Sequence, residues 1–499
     1  MGTPPRPLAQ LAGLAESRPD GLTGQGPGIT GVSLRSDAVR PGDLFAALPG
    51  STAHGATFAA AAARAGAVAV LTDQAGLALL RAQPAAAELP ALVTERPRAV
   101  LGKVAAAVYG DPSGRVEVIG VTGTSGKTTT CYLIEGALAA AGRRTGLIGT
   151  VAARIDGQVL PSMLTTPEAP DLQALFAVMA QRGVQSVAME VSSHALAQGR
   201  VSGTAFAVGA FTNLSQDHLD FHHDMESYFA AKRLLFDGRA RTEVVVVDDD
   251  YGRRLAADRP AAVTVSGTPG AATDWTARTE PAPAGVQQLQ VTGPGGLHFP
   301  ARIALPGPFN VSNALTALAC VHAAGVDPVR AAGGLAGVVV PGRMERVDAG
   351  QPFLALVDYA HKPAALAAVL EAIRPGLTGR VIVVFGAGGD RDRGKRPMMG
   401  AEAARRAELV IVTDDNPRSE DPAAIRAEVL GGARSVAGGQ VLEIGDRREA
   451  ITAAVRAARP GDAVLIAGKG HEHGQEIAGV VHPFSDREEL AAALALVSR

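Results

Sequence analysis

The stretch Val118-Ile119-Gly120-Val121-Thr122-Gly123-Thr124-Ser125-Gly126-Lys127-Thr128-Thr129 decides the fold. An apolar strand runs into a glycine-bearing turn, and a helix is expected to follow over 128–141. Glycine permits backbone angles that turn successive N–H groups toward phosphate oxygens, and the helix N-terminus adds the positive end of its dipole. Lys127 is then placed to bridge the terminal phosphates of a nucleotide, and the Thr128 hydroxyl to bind Mg²⁺. The common G-x4-G-K-[ST] spacing would put glycine at position 121, where Val121 stands. The turn therefore reads as a shortened form made by Gly123, Thr124, Ser125, Gly126, Lys127, Thr128 and Thr129. It does not choose ATP over GTP, although no N-K-x-D guanine-reading loop occurs in the sequence.

Further strands are expected at 186–189, 207–211 and 244–247, with helical stretches between them. Strands alternating with helices indicate an α/β architecture with a parallel sheet. The first of these strands ends at Glu190 and the second leads to His218, so both side chains are expected beside the phosphate turn. Mg²⁺ prefers oxygen ligands and keeps waters and substrate phosphates, which suits Thr128 with Glu190. His218 suits a second, more adaptable metal position.

Upstream lie short strands at 68–71 and 91–93 and an Ala-rich helix ending at Tyr109. Residues 110–114 are turn chemistry without periodicity, a boundary. Downstream, 264–299 reads as a small β excursion, 313–324 as a helix and 338–343 as a second boundary. Four strands follow at 354–358, 381–385, 409–413 and 463–467. Polar clusters at 358–361, 388–396, 414–418 and 469–472 fall at their carboxyl ends, where open α/β sheets bind ligands. The expected domains are 1–112, 113–341 and 342–499.

The length agrees, since 499 residues at ~150 per domain make three. Lys and Arg number 47 against 49 Asp and Glu, a formal charge of −2, so no global basic field draws the chain to nucleic acid or anionic lipid. Hydrophobic residues make up 47%, which excludes wholesale disorder. Aromatics are only 4%, so the cores must be built from Ala, Val and Leu. Cys131 and Cys320 are the only cysteines; two thiols make neither a disulfide framework nor a Cys-rich zinc site and fit a reducing cytosol. The most apolar run, 58–71, is broken by Arg64 and Gly66 and is too short for a bilayer. The N-terminus lacks a secretory pattern. A cytoplasmic monomer without membrane insertion is expected. No G-x-S-x-G elbow or H-E-x-x-H motif is present, and the equipment that is present positions phosphoryl groups.

Eleven ordered motifs now become specific. They are G-T-S-G-K-T-T (123–129), T-T-P-E (165–168), M-E-V-S-S-H-A-L (189–196), N-L-S-Q-D-H-L-D (213–220), A-A-K (230–232), F-N-V-S-N (309–313), P-G-R-M-E (341–345), D-Y-A-H-K-P (358–363), G-G-D-R-D-R-G-K-R-P (388–397), D-N-P-R (415–418) and G-K-G-H-E (468–472). Together they resemble the Mur ligase family over nearly the whole chain. The resemblance implies a small α/β UDP-binding N-terminal domain, a central P-loop ATPase domain and a Rossmann-like C-terminal domain that binds the amino acid. It also implies ATP-dependent addition of a diamino acid to the D-Glu γ-carboxylate of UDP-N-acetylmuramoyl-L-Ala-D-Glu through an acyl phosphate, in peptidoglycan synthesis. Elementary chemistry agrees: phosphorylation gives a poor electrophile a leaving group whose charge Lys127 and Mg²⁺ carry.

Carried over by motif, Thr165, Thr166, Ser192, Gln198 and Arg200 match positions that hold the muramoyl-dipeptide. Leu34, Ser36, Ser51, Thr52 and Ala53 match the UDP region. Lys232 matches a lysine carbamylated by CO₂, a modification that turns a cation into a metal-binding anion. Asn310, Asn313, Arg343 and Asp358 match nucleotide contacts. Because these sites lie on three domains, closure is expected. One departure is visible: Arg35-Ser36-Asp37 stands where the family often has D-S-R.

D-N-P-R, comprising Asp415, Asn416, Pro417 and Arg418, accompanies meso-diaminopimelate in this family. Arg418 can clamp its distal carboxylate with a bidentate fork while Asn416 offers an amide. Arg391, Gly468 and Glu472 match the other contacts, Glu472 being suited to an ammonium. Lysine and ornithine lack the distal carboxylate and remain alternatives, as does pairing of Arg418 with Glu420 or Asp421 and no role in substrate choice. Folylpolyglutamate synthase, a competing reading, leaves the first ~110 residues and D-N-P-R unexplained. A P-loop switch without ligase chemistry is the alternative of another class.

Overall fold

The computed structural model describes residues 4–160, 164–283, 285–437 and 439–497. The ends of the outer domain assignments, residues 1–3 and 498–499, lie outside these. By packing, the chain forms two compact units: residues 1–266 with 273–275 and 316–331, and residues 267–272 with 276–315 and 332–499.

The first unit holds two larger sheets and a two-stranded antiparallel pair, Arg6–Pro7 with Gly28–Ile29. The smaller runs Arg18–Asp20, Ala91–Val93, Ala69–Thr72, Asp43–Ala46, Gly31–Ser33, parallel except at the Arg18–Asp20 edge. Leu44, Ala46, Ala69 and Leu71 face one apolar cluster, whereas Phe45, Ala47 and Val70 face another. This period-two division means helices must cover both faces, as a parallel sheet requires. The larger sheet has eight strands, ordered Gln158–Leu160, Ala153–Ile155, Thr145–Ile148, Ser186–Glu190, Glu117–Thr122, Phe206–Phe211, Ala240–Val246, Val263–Val265. Its six strands from Thr145–Ile148 onward are parallel; the first two form an antiparallel edge hairpin. Helix Pro97–Val108 packs on helix Ala169–Gln181.

The phosphate-turn strand Glu117–Thr122 is central, flanked by Ser186–Glu190 and Phe206–Phe211 in parallel register. Val121 pairs with Glu190 on one side and Ala210 on the other, and is fully buried. The position that usually carries the first glycine is thus strand, and the turn starts at Gly123.

The second unit holds a three-stranded antiparallel sheet, Thr276–Glu280, Gln287–Gly293 and Leu297–Ile303, where a β excursion was expected. Its main sheet runs Glu345–Arg346, Leu354–Asp358, Ala463–Ala467, Val381–Phe385, Leu409–Val412, Gln440–Glu443. Ala463–Ala467, the last of these strands in sequence, inserts between Leu354–Asp358 and Val381–Phe385. Helix Pro308–Ala323 begins five residues before the expected start at 313. Proline suits the first helical position, where no N–H is needed. Asn310 and Asn313 therefore lie in opening helical turns. Among the described residues no helix is long and apolar enough to cross a membrane.

Candidate active site

The phosphate turn is built as its residues dictate. Gly123 and Gly126 hold φ of 151° and 87°, and a Cβ on Gly123 would lie 1.9 Å from Thr212 Oγ1. Gly126 precedes helix Lys127–Ala140, whose amino end faces the turn. Lys127 Nζ donates to the carbonyls of Gly123 (2.8 Å) and Thr124 (3.0 Å). The loop after the neighbouring strand braces the turn from outside. Thr124 N donates to Asn213 O (2.9 Å), Ser125 N to Asn213 Oδ1 (2.9 Å) and Thr212 Oγ1 to Ser125 O (2.7 Å).

Glu190, only 1% exposed, joins this turn to the next strand's end. Its Oε1 accepts from Thr128 Oγ1 (2.9 Å) and Thr150 N (2.8 Å), and its Oε2 from Thr150 Oγ1 (3.1 Å). Thr150 Oγ1 in turn lies 3.0 Å from Thr165 Oγ1. Among the described residues no three His, Cys, Asp or Glu side chains gather to hold a metal ion. The donors that do meet, a hydroxyl and a carboxylate beside a phosphate turn, are hard oxygens that fit Mg²⁺ completed by phosphate and water.

Lys232 is 1% exposed; its Nζ donates to Gly123 O at 2.8 Å and sits 4.6 Å from the Tyr228 ring centroid. Tyr228 meets Thr124 Oγ1 at 3.2 Å, and burial pushes its phenol up to about 12. His218 holds a left-handed backbone (φ 52°) and an exposed ring, 4.9 Å from that of His194 and 6.1 Å from that of Tyr228. His222 Nε2 pairs with Ser193 Oγ at 2.9 Å, and its ring stacks on Tyr228. Burial brings His222 down to about 4, with the neighbouring His194, Lys232 and His218 adding to the effect.

Thr166, Ser192, Gln198 and Arg200 gather at the same sheet edge. Thr166 Oγ1 donates to Glu190 O (2.8 Å) and accepts from Ser192 N (3.1 Å). Arg200 donates to Thr166 O (3.3 Å) and Gln198 Oε1 (2.7 Å) and pairs with Glu168 (3.0 Å). After strand Gly31–Ser33 of the smaller sheet, Arg35 and Asp37 pair at 2.7 Å, both exposed, and Ser36 between them in sequence is half-buried. Leu34 is half-buried, and Ser51, Thr52 and Ala53 are exposed.

In the second unit, Asn310 Nδ2 donates to Pro306 O (2.8 Å) and Asn313 Nδ2 to Asn310 Oδ1 (3.0 Å). Asp358 accepts from the amides of Met344 (2.7 Å) and Ala360 (2.8 Å), and burial raises its carboxyl against the pull of Arg343. The Arg343 guanidinium lies 4.2 Å from the Tyr359 ring centroid. Gly468, at φ 113°, donates to Asp358 O (3.1 Å), and a Cβ there would come 2.7 Å from Asp415 Oδ2. Asn416 is fixed in one orientation: Nδ2 donates to Glu472 (3.0 Å) while Oδ1 accepts from Lys469 (2.8 Å) and the Glu476 amide (3.0 Å). Gly389 N donates to Asn416 O (2.9 Å) and Glu420 N to Pro417 O (3.1 Å). Arg391 donates to Asp390 O (3.1 Å) and is exposed. Arg418 does not pair with Glu420 or Asp421. Its Nε meets Glu476 (3.2 Å) and its Nη1 Gly389 O (2.6 Å), while Glu420 is taken by Arg396 and Arg393.

The sequence signature of the Mur ligase middle domain matches residues 121–321, and that of the Mur ligase glutamate ligase domain matches 342–470. A third, the Mur ligase family catalytic domain, matches 28–109. The chain belongs to the Mur ligase family. It is 52% identical over 495 residues to the UDP-N-acetylmuramoyl-L-alanyl-D-glutamate–2,6-diaminopimelate ligase of Corynebacterium glutamicum, covering 97% of this chain and 95% of that one. The protein of the same name from Streptomyces coelicolor is 54% identical over 498 residues, covering 98% and 96%. A solved structure of a UDP-N-acetylmuramoyl-L-alanyl-D-glutamate–2,6-diaminopimelate ligase superposes with a TM-score of 0.68 at 34% identity, covering 95% and 96%. The MurF ligase from Thermotoga maritima in complex with ADP, 18% identical, shares the fold at a TM-score of 0.63, covering 93% and 96%.

For this Mur ligase, sequence reasoning passed over Thr150 and the hairpin of Gly474–Ile477 with Val480–Pro483, and it gave no role of their own to Thr212, Asn213 and Lys469 at the strand ends it had marked. Thr150 follows the carboxyl end of strand Thr145–Ile148, so the strand-end rule would have found it had that strand been recognised. Lys469 stands inside the quoted G-K-G-H-E motif, and its complete burial had no signal in the sequence.

Proposed function

We propose that this chain is an ATP-dependent, ADP-forming ligase that adds meso-diaminopimelate to the D-Glu γ-carboxylate of UDP-N-acetylmuramoyl-L-Ala-D-Glu, a step of peptidoglycan synthesis. The observation that carries the reading is Glu190, bound on one side to Thr128 of the phosphate turn and on the other to Thr150 and, through it, Thr165. Donor and acceptor of a phosphoryl group would meet across that carboxylate.

In this reading the γ-carboxylate oxygen attacks the terminal phosphorus of ATP, the bond to ADP breaks, and an acyl phosphate forms. The amine of the amino acid then attacks the acyl carbon, loses a proton, and the tetrahedral intermediate expels phosphate. Lys127 and the amides of 123–129 hold the transferring group, and positioning with charge stabilisation supplies most of the rate. Thr128 and Glu190 would hold Mg²⁺, which when bound neutralises phosphate charge. His218, and Lys232 in a carbamylated form, would serve a second cation. Thr165, Thr166, Ser192, Gln198 and Arg200 would orient the muramoyl-dipeptide. Leu34, Ser36 and residues 51–53 would meet the uridine nucleotide, and Asn310, Asn313, Arg343 and Asp358 would meet ATP. Arg391, Asp415, Asn416, Pro417, Arg418, Gly468 and Glu472 would receive the amino acid. Residues 1–112, 113–341 and 342–499 are assigned to UDP, ATP and amino-acid binding respectively, in a cytoplasmic monomer.

The test is phosphate release by the purified protein with ATP, the UDP-linked dipeptide and a panel of meso-diaminopimelate, L-lysine and L-ornithine. Release only with dipeptide and diaminopimelate together is expected. Release indifferent to both would favour a P-loop switch, and preference for lysine or ornithine would move the amino-acid assignment.

A further inference from the structure

The hairpin of Gly474–Ile477 and Val480–Pro483 turns through Ala478 and Gly479, both at positive φ (49° and 79°), as a tight two-residue connection requires. Its first strand lies along residues 415–418. Gln475 Nε2 donates to Asp415 O (2.8 Å), Glu476 N to Asn416 Oδ1 (3.0 Å), Arg418 N to Glu476 O (3.0 Å) and Ala478 N to Arg418 O (2.7 Å). Arg418 itself sits at φ 53°, a left-handed conformation that a residue with a side chain keeps only when its surroundings hold it. The Glu476 carboxylate takes Arg418 Nε at 3.2 Å and Gly389 O takes Nη1 at 2.6 Å. Two of the three guanidinium nitrogens are thereby held by the protein itself.

We propose that this hairpin is the strap that positions the amino-acid clamp, and that Glu476 is the positioning residue that aims the Arg418 guanidinium at the distal carboxylate of the substrate. The inference rests on the ligase reading above. A free arginine loses much rotamer freedom when it grips a ligand, whereas one already held by two acceptors loses little, so the strap converts ordering done during folding into affinity. Glu476 also gives the guanidinium a partner before substrate arrives.

The experiment uses the full chain and steady-state phosphate release. Glu476→Ala is expected to raise KM for meso-diaminopimelate about tenfold, as loss of a hydrogen bond to a charged group predicts, with KM for ATP changed less than about twofold. Glu476→Gln, whose amide oxygen can accept from Nε, is expected to recover most of the loss. An unchanged diaminopimelate KM in Glu476→Ala, or an equal rise in both KM values, would overturn the inference. Wild-type protein inactive with diaminopimelate would overturn the diaminopimelate reading on which the inference rests instead.

Discussion

Arg447 and Asp486 form a doubly hydrogen-bonded ion pair, 2.7 and 2.8 Å, with neither side chain exposed at all. The same guanidinium donates to Ala467 O (2.9 Å) and Asp414 O (3.3 Å). These carbonyls immediately precede Gly468 and Asp415, so one buried cation ties together, from beneath, the two loops that carry the proposed amino-acid contacts. Removing one partner of such a pair leaves the other charge buried and unmatched. Arg447→Met is expected to cost about 3–5 kcal/mol in urea unfolding of the second unit. The double change Arg447→Met with Asp486→Leu is expected to regain most of it; a double variant as unstable as the single one would refute the account.

Lys127 is held against the carbonyls of its own turn, Gly123 and Thr124, with Lys232 on the same Gly123 carbonyl from helix Met225–Arg233. Lys127→Ala is expected to lower phosphate release about 10³-fold or more with the fold intact, since removal of a charged stabiliser of phosphoryl transfer costs that much. A variant with near-normal turnover and unchanged melting would remove the phosphate turn from the mechanism.

Glu190 is the shared acceptor of Thr128 and Thr150. Glu190→Gln keeps the size and loses the charge, so a fall of about 10²-fold or more in turnover is expected, with a higher Mg²⁺ concentration needed for half-maximal rate. An unchanged Mg²⁺ titration would show that the carboxylate does not serve the cation.

Arg418→Lys replaces a planar fork with a point charge. KM for meso-diaminopimelate is expected to rise about tenfold or more while KM for ATP stays within about twofold. Equal changes in both would remove Arg418 from amino-acid selection.

Burial lowers His222, His361 and His471 to about 4 from the ordinary 6.5. The unfolded chain then binds more protons than the native one between these values, so stability rises with pH across the window and is lost as pH falls from about 6.5 toward about 4. Glu420, held down to about 2 by Arg396, adds its loss only below the ordinary carboxylate range, and Asp358, raised by burial, acts in the opposite sense. Melting temperature is expected to fall between pH 7 and pH 5, and less steeply in His361→Asn, which loses one of the three protons. Parallel slopes in the two proteins would contradict this.

Strands whose apolar residues are buried on both faces were legible to within a residue or so: Ala91–Val93, Leu354–Asp358, Val381–Phe385 and Ala463–Ala467 stand where expected. Strands with mixed or exposed patterns were not. Gln440–Glu443 has no buried residue and Gln158–Leu160 is an exposed edge, so neither carries the apolar run that marks a strand. The hairpin after residue 473 is likewise half-exposed, and its partners lie some distance back along the chain.

The chain alone determined the local chemistry: the phosphate turn, with its glycines, lysine and threonine within seven residues, depends only on neighbouring backbone angles and one strand–helix junction. It also determined the motif set that marks the family. Tertiary structure decided which motifs share a site. Ala463–Ala467 inserts between Leu354–Asp358 and Val381–Phe385, which carries Lys469 and Glu472 to Asn416 across more than fifty residues of sequence. Strand order follows from how whole faces bury against helices, a sum over the entire sheet that no local pattern encodes.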